Sequence, residues 1–169
     1  MHYLGGVMDS PVGRLLLLGD TRGILRRIEF WQTRSLEEVE PVFAAMGHQF
    51  TCSHEAVADV VHQLEQYFCG ERTRFELQIE PEGTDFQRMV WSALVRIPFG
   101  VCRTYTDLAD LIDRPKSIRA VGAANGANPI PIVIPCHRVI GRSGRLTGYR
   151  GGLRVKADLL RHEGFLMPE

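Results

Sequence analysis

Pro135-Cys136-His137-Arg138 sets a thiol beside an imidazole and a guanidinium, the surroundings in which a thiolate is stabilised and a cysteine becomes nucleophilic. The same stretch also reads as core, because a free cysteine is commonly packed as a small apolar side chain and Ile134 and Val139 lie close by. Metal binding fits less well: zinc takes three or four ligands, and no second Cys/His cluster accompanies this one. In an extended chain neighbouring side chains point to opposite faces, so direct contact between Cys136 and His137 needs a turn, with a bridging water as the other route. An orienting carboxylate completes the logic of activation, and Glu163 and Asp158 are the candidates.

The elements that must position these residues follow from periodicity and breakers. Short apolar runs at Tyr3–Met8, Leu15–Leu18 and Ile24–Phe30, separated by Ser10-Pro11-Val12-Gly13 and Gly19-Asp20, predict an antiparallel meander. Val57, Val60, Val61, Leu64, Tyr67 and Phe68 recur at helical spacing up to Gly70, and Phe75–Ile79 reads as a further strand. Pro81-Glu82-Gly83 reads as a linker, giving expected domains 1–82 and 83–169. Thr84 and Gln87 form a capping-box signature for a helix to Ile97, before Pro98 and Gly100. Two short helices are then expected, one carrying Leu108, Leu111 and Ile112 and ending at Arg114-Pro115, the other capped by Ser117 and carrying Ile118 and Val121. This is a helix-turn-helix outline. Ile130–Ile134 reads as a short buried strand, although Pro131 suits a central strand poorly. Residues 141–152 read as a glycine-rich loop, and a closing helix over 153–163 is expected to bury Leu153, Ala157 and Leu160.

Composition narrows the function classes. The chain has 169 residues, 44% of them hydrophobic, enough for a core without staples. Cys52, Cys69, Cys102 and Cys136 are scattered without a C-x-x-C pair, so free thiols are expected rather than a disulfide framework. The first residues lack a basic start and apolar run, and no stretch approaches the ~18 apolar residues of a membrane span, so the expectation is a soluble, cytoplasmic protein without membrane contact. Net charge is zero, but residues 1–99 hold 9 basic and 14 acidic side chains while residues 100–169 hold 11 and 6. Only the second half invites a polyanion, and most of its cations are arginines, whose planar fork suits phosphate.

With these residues on the page, the chain resembles the O6-alkylguanine-DNA alkyltransferases. Ile134-Pro135-Cys136-His137-Arg138-Val139-Ile140, preceded by Asn128-Pro129 and followed by Leu146-Thr147-Gly148-Tyr149 and His162-Glu163-Gly164, carries the resemblance, and Asp9-Ser10-Pro11-Val12-Gly13 with Gly23-Ile24-Leu25 carries a weaker one to the N-terminal domain. The bacterial single-function members look most similar. The resemblance implies an α+β fold: a small N-terminal antiparallel sheet with a helix, ribonuclease-H-like and structural in role, then a mainly helical domain with a winged helix-turn-helix that binds DNA and transfers the alkyl group.

The resemblance also implies roles. Cys136 is the acceptor in a stoichiometric, irreversible transfer from O6 of guanine, with O4 of thymine left open as a further substrate. His137 activates it through water and Glu163 orients the imidazole. Tyr105 helps turn the nucleotide out and donates a hydrogen bond to guanine, while Arg119 enters the stack in place of the flipped base. Asn128 ties the recognition helix to the active-site segment, and Tyr149 walls the guanine pocket. Ala120 and Gly122 allow close approach to the minor groove, and Arg138 and Arg150 are expected at the substrate or DNA. Arg150 stands where several members carry a small residue. Because no cysteine precedes Cys52, no metal is expected, nor any cofactor. The implied partner is double-stranded DNA carrying O6-alkylguanine, bound by a monomer, with cooperative assembly on DNA left open. Two other readings remain: a noncatalytic alkylated-DNA-binding module, and a hydrolase or acyltransferase built on Cys136, His137 and Glu163.

Overall fold

A computed structural model describes residues 1–31 and 35–165. The chain divides into two compact units, Met1–Pro81 and Glu82–Glu169, and the architecture is α+β.

In the first unit, strands β1 (His2–Met8), β2 (Leu15–Gly19) and β3 (Leu25–Phe30) form the expected antiparallel meander. Its first turn closes with reciprocal Ser10 and Gly13 backbone hydrogen bonds of 3.1 and 3.0 Å. All four leucines of β2 are fully buried, as a continuous apolar run at the centre of a sheet requires. One face packs Tyr3, Leu16 and Leu18 against Trp31, Val39, Phe43 and Phe50. Helix α1 (Val39–Ala45) and strand β4 (Gln49–Cys52) complete that layer. β4 runs parallel to β1 at the sheet edge, in the order β3-β2-β1-β4. The sheet is therefore mixed, where an antiparallel one was expected. Helix α2 (Ala58–Phe68) buries Val60, Gln63, Leu64 and Tyr67.

Phe75–Ile79 does not become a strand. Gln63 takes the backbone N–H of Glu76 at 2.8 Å and donates to its carbonyl at 3.2 Å, so a side chain occupies the groups a ladder would use. Only an isolated bridge between Leu25 and Ile79 remains.

The second unit opens with α3 (Asp85–Val95), and its capping box is formed: Gln87 N–H donates to Thr84 Oγ1 at 3.2 Å and Thr84 N–H to Gln87 Oε1 at 2.9 Å. Strand β5 (Arg103–Thr104) leads directly into α4 (Tyr105–Leu111), which has a capping box of its own from Thr104 and Asp107. Helix α5 (Ile118–Gly126) follows, and Trp91 Nε1 pins it to α3 by donating to the Ala124 carbonyl at 2.8 Å. Ser117 stands at the N-cap position, but its side chain makes no capping bond. Strand β6 (Val139–Ile140) pairs in parallel with β5, and α6 (Leu153–His162) closes the unit. The buried face of α6 carries Val155, Lys156, Leu159 and Leu160, whereas Leu153, expected inside, is exposed. No helix among the described residues is long and apolar enough to cross a membrane.

Candidate active site

Cys136 opens a single 3₁₀ turn, Cys136–Arg138, that leads into β6. The turn is the local bend that a Cys-His neighbour pair needs, and all three side chains are buried. What precedes it is a tight turn and not the expected strand: Ile134 N–H donates to the Ile130 carbonyl at 2.9 Å, and Ile132 has φ = 75°. A β-branched residue in the left-handed region costs about 1–3 kcal/mol and persists only where its surroundings over-determine it. Asn128 supplies that constraint. It accepts from Ile130 N–H at 2.9 Å and donates to the Ile134 carbonyl at 2.8 Å, from a position 2% exposed at the end of α5. Asn125, one helical turn earlier, donates to the carbonyl of Cys136 at 3.4 Å.

Glu163 follows α6 directly and is the carboxylate that meets His137: Nε2 and Oε1 are 2.7 Å apart, with both side chains wholly shielded from solvent. Asp158, the other candidate, pairs with Arg161 on the helix surface. Arg138 donates through Nε and Nη2 to the two oxygens of Glu163 at 2.8 and 2.9 Å, and through Nη1 to the Ile97 carbonyl. Gly100 N–H adds a bond of 3.2 Å. Gly100 is required there twice over: its φ is 75°, and a Cβ would stand 2.9 Å from the Glu163 carbonyl oxygen. Contrary to the expectation from the sequence, Arg138 does not lie at the substrate or DNA. Its side chain points inward, committed to neutralising a buried carboxylate.

These contacts decide the ionisation states. Burial opposes charge on Glu163, but the hydrogen bonds from His137 and Arg138 outweigh it and hold the carboxyl well below the usual range. Burial holds His137 below the usual histidine range, although Glu163 pulls the other way. A neutral imidazole facing a carboxylate must carry its proton on Nε2, which leaves the lone pair on Nδ1. That atom is buried and finds no hydrogen-bond partner among the described residues. Burial also pushes the Cys136 thiol up, opposed by a hydrogen bond to Asn128 and the charge of Lys156. The resting pair is thus neutral thiol and neutral imidazole.

Tyr105 is the first residue of α4, and pairing of Arg103 with Val139 and Thr104 with Ile140 brings its backbone beside the segment that follows Cys136. Its ring lies over Gly122 of α5, where an added Cβ would stand 3.7 Å away. Arg119 and Ala120 are exposed on the first turn of α5, Gly122 and Tyr149 are half-buried, and Arg150 is exposed on the loop 141–152. Of the eleven basic side chains in residues 100–169, Arg138 and Lys156 are buried and the other nine are exposed.

No sequence expectation falls on Lys156. It is fully buried, donates to the Thr147 carbonyl at 2.9 Å, and is held down at about 8, chiefly by burial, with Cys136 and Cys102 opposing. Its signal was its place on the apolar face of α6, four residues before Leu160.

The two units match the two halves of one family. Residues 85–165 match the model of the 6-O-methylguanine DNA methyltransferase DNA binding domain, and residues 3–81 match that of its ribonuclease-like domain. The chain belongs to the 6-O-methylguanine DNA methyltransferase family. It is 44% identical over 164 residues to the methylated-DNA–protein-cysteine methyltransferase of Methanosarcina acetivorans, covering 97% of this chain and 99% of that one. The enzyme of the same name from Mycobacterium tuberculosis H37Rv is 43% identical over 163 residues, 96% and 92% of the two chains. Among solved structures, the Mycobacterium tuberculosis O6-methylguanine methyltransferase superposes with a TM-score of 0.82 at 44% identity, over 96% of this chain and 92% of that one. That organism's OGT in complex with DNA superposes with a TM-score of 0.81 at 42% identity, with the same coverage. As a member of the 6-O-methylguanine DNA methyltransferase family, the chain performs direct-reversal DNA repair by alkyl transfer to a protein cysteine, with DNA as its partner.

Proposed function

We propose that Cys136 is the acceptor, taking the alkyl group from O6 of guanine in double-stranded DNA. The observation that carries this reading is the buried His137–Glu163 bond, which leaves Nδ1 as a free base on the turn that carries the thiol. Through one water His137 takes the thiol proton as sulfur attacks the saturated carbon. The S–C bond forms, and the C–O6 bond breaks with its pair passing to the guanine. Glu163 holds the imidazole in its tautomer and balances the imidazolium that forms. Arg138 fixes that carboxylate in place.

A base stacked in a duplex hides its O6 substituent, so the nucleotide must be turned out at a cost of a few kcal/mol. Arg119, exposed at the start of α5, enters the gap, where its plane stacks and its charge meets phosphate. Ala120 and Gly122 let α5 lie close in the minor groove. Tyr105 donates a hydrogen bond to the leaving guanine, Tyr149 walls the pocket, and Arg150 borders it. Asn128 joins the recognition helix to the strained turn before Cys136, so that DNA contact and nucleophile share one rigid element. The unit 1–81 is structural, the protein binds as a monomer, and transfer needs no metal or cofactor.

The test is Cys136→Ala with duplex DNA carrying O6-methylguanine. Transfer is lost while affinity stays within several-fold, because affinity rests on exposed arginines whose phosphate contacts release counterions. Residual transfer would remove Cys136 from the mechanism.

A further inference from the structure

We infer that Thr147 is a positioning residue for the transfer, holding the Tyr105 phenol so that its single proton faces the leaving guanine. The inference rests on the reading of Tyr105 as the hydrogen-bond donor to guanine. Thr147 Oγ1 donates to the Tyr105 hydroxyl oxygen at 3.0 Å, which leaves the phenolic hydrogen for another acceptor. Tyr105 itself has little freedom: its backbone starts α4 behind the Thr104–Asp107 capping box, and its ring lies over Gly122.

Thr147 is fixed from the other side. Its carbonyl accepts from Lys156 Nζ at 2.9 Å, and that lysine is fully buried on α6. The loop 141–152 is closed at its ends by Gly141 N–H to the Arg145 carbonyl and Gly152 N–H to the Tyr149 carbonyl, both 2.9 Å. One threonine thus links the loop, α4 and α6. Its hydroxyl has a chemical task besides. As the C–O6 bond breaks, negative charge grows on the guanine, the Tyr105 hydrogen bond to it tightens, and the phenol oxygen gains charge. A donor at that oxygen stabilises the change, because hydrogen bonds in a chain polarise one another. Tyr105 keeps its proton throughout, and no bond to hydrogen breaks at Thr147.

Single-turnover transfer from duplex DNA carrying O6-methylguanine tests this in four variants. Thr147→Val keeps the shape and removes the hydroxyl, and is expected to slow transfer about 2- to 12-fold, the span of one net hydrogen bond. Thr147→Ser restores the rate. In a Tyr105→Phe background the Thr147→Val change has no further effect, which distinguishes a hydrogen bond to the phenol from a general role in holding the loop. An equal slowing by Thr147→Val with and without the phenol hydroxyl overturns the inference, as does a wild-type rate for Thr147→Val while Tyr105→Phe is slow. A wild-type rate for Tyr105→Phe overturns the reading of Tyr105 and the inference with it.

Discussion

His137 Nε2 lies 2.7 Å from Glu163 Oε1 with neither side chain exposed to solvent, and the pair makes the second unit sensitive to acid. Burial lowers the folded pKa of His137 below 6.5, so under about pH 6.5 the unfolded chain binds a proton that the folded site refuses. The hydrogen bonds to Glu163 lower its folded pKa below 4.5, so the same holds there under about pH 4.5. Both shifts subtract stability as pH falls. Melting temperature is expected to hold near neutrality, drop below about pH 6.5 and drop again below about pH 4.5. Glu163→Gln should shrink the lower step, leaving the part carried by Asp20 and Asp107, whose carboxyls hydrogen bonds also hold below the usual range. A melting temperature indifferent to pH across both windows would contradict the assigned ionisation states.

Arg138 is the counterion of this carboxylate, and removing it should cost stability without altering DNA contact. Arg138→Met leaves Glu163 buried without the guanidinium that neutralises it, and breaking a buried pair typically costs about 3–5 kcal/mol. Denaturant unfolding measures that loss. The salt dependence of DNA binding should keep its slope, since a buried guanidinium releases no counterion from DNA. A shallower slope in the variant would return Arg138 to the DNA face.

Arg119 is expected to matter only where a duplex must be held open. Arg119→Ala should slow repair of O6-methylguanine in duplex DNA far more than dealkylation of free O6-benzylguanine, a base that has no stack to leave. Equal losses on the two substrates would make Arg119 part of the pocket.

The parts of the molecule legible in the sequence are those governed by local chemistry. The Thr84–Gln87 box, the breaker at Arg114-Pro115 and the turn at Ser10–Gly13 act within a few residues, and each appears where its residue types place it. Strand β4 was illegible because three of its four residues are exposed and only Phe50 faces the core, so no apolar alternation announces it. Ile130–Ile134 misled for the opposite reason: an apolar run records burial, and burial is what its five residues share, whether the backbone is extended or turned. Local chemistry leaves Glu163 and Asp158 both open as the acid partner of His137 and only the resemblance selects Glu163, because the choice depends on which face of α6 is buried. The sequence pattern puts Leu153 on that face, yet Leu153 is exposed and the buried residue is Lys156. Arg138 was drawn to the DNA by its charge, and only the three-dimensional placement of Ile97 and Glu163 turns it inward.

The central claim, a single irreversible transfer to Cys136, meets its most direct test in the intact mass and peptide map of the protein after reaction with excess duplex carrying labelled O6-methylguanine. Attack on a saturated carbon yields a thioether, which has no polarised carbonyl for water and no good leaving group. Label should therefore plateau at one methyl group per protein molecule, with added mass on the peptide containing Cys136 alone. Product that keeps forming beyond several equivalents, or a methyl group on Cys52, Cys69 or Cys102 in place of Cys136, would contradict it.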